Sequence, residues 1–186
     1  MKISFELSES DLNHFRDVMQ KARQANSHLT TKDIVNNACK LLKQISASDA
    51  SSFIRNRMSI LETLIGMVVD RGWGMVEEDL DRVVQALSYF SDADDLIPDN
   101  IPGLGFLDDA IMIELVAREL EHEIQAYRDF VVYRAAETSR HGESAESLER
   151  ADWLEERRVQ LHSRMRRRRR RGRGGSGGGK SPFSLL

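Results

Sequence analysis

Apolar residues recur along the first 137 residues at the helical repeat and hardly anywhere at the strand repeat. That pattern restricts the fold class more than any other feature of the chain. Leu12, Phe15, Met19 and Ala22 form one stripe, and Ile34, Ala38, Leu41, Leu42 and Ile45 a second. Ile54, Met58, Leu61 and Ile65 predict a third helix from about Ser52 to Asp70. Leu80, Val83, Val84, Leu87 and Phe90 predict a fourth, from about Glu77 to Phe90. Ile113, Val116, Leu120, Ile124, Tyr127 and Val131 trace a long fifth, opened by Asp108 or Asp109 and reaching about Glu137. At 1.5 Å per residue it would be roughly 40 Å long. Ser8 with Asp11, and Thr30 with Asp33, have the spacing of capping boxes. Only residues 2–7 alternate, Ile3, Phe5 and Leu7 against Lys2, Ser4 and Glu6, which predicts one short strand.

The expected fold is mainly α: a compact domain of four to five helices with a short N-terminal strand, over residues 1–137. Residues 138–147 (Thr-Ser-Arg-His-Gly-Glu-Ser-Ala-Glu-Ser) read as a hinge. A charged helix over 148–165 carries Leu148, Leu154, Leu161 and Met165 on one side. Residues 166–186 are expected to be a disordered basic tail, because arginine and glycine runs offer no apolar surface to bury.

The connection between the fourth and fifth helices is unusual. It reads Asp-Leu-Ile-Pro-Asp-Asn-Ile-Pro-Gly-Leu-Gly-Phe-Leu-Asp-Asp from Asp95 to Asp109. Large apolar side chains, prolines, glycines and four carboxylates alternate in one segment, which predicts a structured loop folded onto the core. Asp95, Asp99, Asp108 and Asp109 could converge on a hard divalent cation, which favours oxygen ligands. The competing reading is structural: Asp108 and Asp109 stand where a helix begins and suit its cap, and Asp99 after Pro98 suits a turn.

Asp95, Leu96, Ile97, Pro98, Asp99, Ile101, Pro102, Gly105, Asp108 and Asp109, preceded by Tyr89-Phe90, resemble the motif of the YkvA-like family of small bacterial helical domains. The resemblance covers about residues 84–120. Ala93 stands where that family usually has a proline. The family has no established activity, so the resemblance implies an architecture and no mechanism.

Other motifs exclude more than they assign. A single cysteine, Cys39, leaves no internal disulfide and reads as a half-buried helix residue. Glu119-Leu-Glu-His122 is half of a di-iron motif that the chain does not complete. Gly174 to Ser181 spells a Walker A pattern, yet an arginine run precedes it where a strand is needed and Pro182 follows it where a helix is needed, so nucleotide binding is not expected. Lys2, Ser4 and Glu6 would be poor DNA readers in a ribbon-helix-helix arrangement. No catalytic residue and no cofactor is assigned. No apolar run approaches a transmembrane span of roughly 20 residues, and a cytoplasmic location is expected.

Charge is strongly segregated. Residues 157–186 hold 11 Lys and Arg and no acid, so residues 1–156 hold 16 basic against 30 acidic residues, a net −14. Eight arginines, Arg164, Arg166, Arg167, Arg168, Arg169, Arg170, Arg171 and Arg173, crowd one segment. Guanidinium groups pair well with phosphate, so nucleic acid or another polyanion is the expected partner. A solvated tail with no partner, and docking of the basic segment on the acidic body, are the alternatives. The helical body could also bind a protein partner or a second copy. The function expected is that of a non-enzymatic interaction module; a metal-binding or metal-dependent enzyme domain using Asp95–Asp109 is the alternative.

Overall fold

Ser8 opens the first helix, α1 (Glu9–Ala25), through the expected box: its hydroxyl accepts the Asp11 N–H, and Asp11 accepts the Ser8 N–H at 2.8 Å. Thr30 and Asp33 open α2 (Thr31–Ala47) in the same way. Ser51 caps α3 (Ser52–Val69), and α4 runs from Glu77 to Leu87 before a tighter turn over Ser88–Ser91. Among the described residues α5 (Leu107–Glu119), α6 (Glu121–His141) and α7 (Asp152–Gly174) follow. This computed structural model describes residues 8–91, 97, 101, 105–141 and 152–174. The expected strand over 2–7, and Leu148 of the charged helix, lie outside the described residues.

The stripes read from the sequence are the faces that pack. Leu61 and Leu64 of α3 have no solvent exposure, and neither do Ile113 and Val116 of α5 or Phe130 of α6. Helix α3 is central, with α2, α4, α5 and α6 against it, while α7 lies along α6. A Cβ on Gly66 would stand 3.0 Å from the Tyr127 hydroxyl, so that glycine sets how closely α6 approaches α3. Cys39 is half-buried on α2, as expected.

Three boundaries differ from the sequence reading. The long fifth helix divides at Leu120 (φ −102°) into α5 and α6. No proline or glycine stands there, and the hydrogen-bond ladder passes through it: Leu120 N–H donates to Val116 and Ile124 N–H to Leu120, both at 2.9 Å. The division lets α5 follow α3 while α6 follows α7. Second, α6 continues to His141, four residues into the expected hinge. Thr138 and Ser139 keep their hydroxyls on the carbonyls of Arg134 and Ala135, one turn back, and do not compete with the ladder. Third, the charged helix ends at Gly174 and not at 165. Arginine is a good helix former, and two arginines of the run have carboxylate partners on the body, described below.

Candidate polyanion interface

The start of α7 is positioned by a loop that Asp70 organises. Asp70 ends α3 and accepts the backbone N–H groups of Gly72 (3.0 Å) and Trp73 (3.3 Å). Both guanidinium nitrogens of Arg134 donate to it at 2.8 and 2.7 Å, and the Tyr127 hydroxyl at 3.1 Å. Burial opposes the Asp70 charge, but Arg134 and Tyr127 outweigh it and hold the carboxyl below its usual range. Burial and the Asp70 charge push the Tyr127 phenol up to about 12. The loop so fixed sinks Trp73 into the core at 1% exposure, against Tyr127 and Phe130. Gly74, at φ +52°, is needed twice over: few side chains adopt that backbone, and Arg158 Nη1 would lie 2.9 Å from its Cβ.

Helix α7 lays one face on this surface. Leu154, Leu161 and Met165 are each 2% exposed. His162 stacks on Trp73 with ring centroids 4.1 Å apart, and its Nε2–H donates to the Trp73 carbonyl at 3.1 Å. Burial pushes the imidazole down from its ordinary pKa, so the neutral ring is favoured. The step of four from Leu161 to Met165 reaches Arg169 next, and Arg169 is also turned inward.

That arginine sits among carboxylates. Its Nη1 donates to Asp79 Oδ1 at 2.6 Å and to Glu123 Oε1 at 3.0 Å, and its Nη2 reaches Glu78 at 3.4 Å. Arg166 approaches the other Asp79 oxygen at 3.5 Å, and Arg82 meets Glu123 at 2.6 Å. The Asp79 and Glu123 side chains are 0% and 1% exposed. Burial opposes the charge on Arg169, but its bonds to Asp79 and Glu123 prevail and raise its pKa. Part of the arginine segment is therefore docked on the acidic body.

The remaining arginines face away. Arg164, Arg167, Arg168, Arg170 and Arg171 are exposed. Arg164 makes one long contact, 3.5 Å to Asp129. Arg167, Arg168, Arg170 and Arg171 have no carboxylate partner among the described residues. Arg164, Arg167, Arg168 and Arg171 follow the one-face helical spacing and, with Val159, Gln160 and Ser163, line a shallow groove of about 510 Å³. The Arg173 side chain lies outside the described residues.

The described part of the acidic segment corrects one reading, the helix cap. Asp95, Leu96, Pro98, Asp99 and Pro102 lie outside the described residues. Asp108 and Asp109 do not cap α5. The cap position is Phe106, in the left-handed region at φ 63°, and the two aspartates fall within the first turn of the helix, 2% and 6% exposed. Asp108 instead accepts the Ile97 backbone N–H at 3.1 Å and ties that residue to the helix start. Gly105 N–H donates to the Ile101 carbonyl at 2.8 Å. Among the described residues no three His, Cys, Asp or Glu side chains are grouped as a metal site requires. Glu119 and His122 stand on opposite sides of the Leu120 break. Among the described residues, no helix is long and apolar enough to cross a membrane.

Sequence reasoning missed the partners of the inward arginines. Asp79 and Glu123 are 90 and 46 residues from Arg169 and carry no local signature. The register Leu154, Leu161, Met165 was the available signal, since its continuation points Arg169 inward.

Over the described residues these features define a helical body with a basic helix, α7, laid along α6. A family model described as protein of unknown function (DUF1232) matches residues 83–115, from α4 through the loop into α5. Comparisons with curated proteins and with solved structures find no match.

Proposed function

We propose that this chain is a non-enzymatic interaction module that holds a polyanion, by charge, on the outward face of α7. One observation carries the reading: the arginines divide into two sets. Arg166 and Arg169 are neutralised by buried carboxylates, whereas Arg167, Arg168, Arg170 and Arg171 are exposed and lack carboxylate partners among the described residues. A run of like charges repels itself along a helix, so an outward row of guanidiniums is best relieved by an external anion. The finer family reading, a YkvA-like domain of a bacterial cytosolic protein, rests on the motif around Asp95–Asp109 and belongs to the same proposal.

The test is retention on an immobilised polyanion at low salt. Arg167→Glu with Arg171→Glu should elute at clearly lower salt than the wild type, with an unchanged urea midpoint. Equal elution of the two proteins would sink the reading.

A further inference from the structure

We infer that the polyanion is double-stranded DNA, and that α7 enters its major groove with arginines on both flanks. This rests on the proposed function and deepens it. The argument is the distribution of charge around the helix. At 100° per residue, Arg170, Arg167, Arg171, Arg164 and Arg168 fan, in that order, across roughly 160° of the circumference. The centre of the fan lies roughly 140° around the helix from the buried side made by Leu161, Met165 and Arg169, and its Arg168 edge borders the crevice that α7 forms with Ala126 and Asp129 of α6.

A flat lipid headgroup surface meets one line of a helix and leaves the two edges of such a fan unused. Binding in a bilayer interface also calls for large apolar side chains beside the charges, and this groove has only Val159, 53% exposed. Single-stranded nucleic acid is gripped by aromatic stacking, but no aromatic residue stands between Val159 and Arg171 apart from His162, which is spent on Trp73. The deep, narrow major groove of duplex RNA excludes a helix. The major groove of B-form DNA is about 12 Å wide, matching a helix about 10–12 Å across. Its two phosphate rims then meet the two edges of the fan, Arg170 on one side and Arg168 on the other. Gln160 and Ser163 lie between those edges, nearer the start of the helix, and offer hydrogen-bonding groups to base edges. Exposed Glu156, one turn before Gln160, would repel phosphate and sets the N-terminal limit of the interface.

The experiment uses the full chain and fluorescence anisotropy with a short duplex DNA, its single strand and the duplex RNA of the same sequence. Phosphatidylcholine vesicles containing phosphatidylserine are tested by flotation. Duplex DNA is expected to bind about tenfold or more tighter than each alternative. Five phosphate contacts would weaken it on the order of 500-fold between 50 and 200 mM salt. Arg168→Gln and Arg170→Gln, both exposed, should each lower the salt slope by about 1 without changing the urea midpoint. Equal affinity for all polyanions, tighter binding to vesicles, or an effect at only one of the two flanks would overturn the inference and leave the proposed function standing. If no probe binds, the inference and the proposed function fail together.

Discussion

Substituting Arg169 and substituting Arg167 should have opposite consequences, although both belong to one run of arginines. Arg169→Ala strands Asp79 and Glu123, which are 0% and 1% exposed. Removing one partner of a buried ion pair costs roughly 3–5 kcal/mol, and the lower end applies here because Arg82 and Arg166 stay in place. Arg167→Ala removes a solvated side chain and should change stability by less than about 0.5 kcal/mol. Urea unfolding of the two variants decides this, and equal losses would contradict the two-sided reading. Polyanion retention should rank them the other way, with the Arg167 variant the weaker binder among folded proteins. The same residue-scale logic redefines Asp108. As a cap it would satisfy its own helix; as an acceptor for the Ile97 N–H it ties that residue to the helix start. Asp108→Ala should cost about 1 kcal/mol, the ordinary contribution of one hydrogen bond, since Ile97 is only half-buried.

At the scale of the element, the contact between α7 and the body should depend on pH. His162 is buried against the Trp73 ring and carbonyl, and faces Arg158, Arg166 and Asp79. Its folded pKa lies below the ordinary 6.5, so the unfolded chain binds more protons in that window. The stabilisation is complete above about 6.5 and is lost as pH falls through the lower folded value. The urea midpoint should drop as pH is lowered from about 7 to about 5, and His162→Gln should flatten that dependence. An identical slope in the variant would remove His162 as its source. The elements themselves were unevenly legible. Caps are local, so Ser8 with Asp11 and Thr30 with Asp33 announced α1 and α2 within four residues. The break at Leu120 has no proline or glycine to betray it, and it arises because α5 and α6 follow different neighbours. The extension of α7 past Met165 was hidden for a related reason. Arginine composition alone predicts solvation, and the carboxylates that fix the helix come from α4 and α6, remote in sequence. The candidate interface was thus legible as a list of arginines, but its division into docked and free sets required the tertiary fold.

For the whole molecule, the −14 body and the +11 segment after it act at two ranges. The buried pairs around Asp79 are little screened by salt, whereas the outward arginines are open to screening. Raising salt from 50 to 200 mM should release bound polyanion by orders of magnitude while the urea midpoint barely moves. Deleting residues 166–186 would do both kinds of damage together, since it removes the outward arginines after Arg164 along with Arg166 and Arg169, leaving Asp79 without its arginine partners and Glu123 with Arg82 alone. Such a truncation should lose binding and lower the urea midpoint, so point substitutions locate the interface and truncation does not. The docking pattern also bears on how the run tolerates a change of length. Residues 166–171 are all arginine, so gaining or losing one copy within the run returns an arginine to both 166 and 169. Loss of two copies still does; loss of three brings a glycine to the place of Arg169. The run can therefore change in length by a unit or two while an arginine still stands at each locking place.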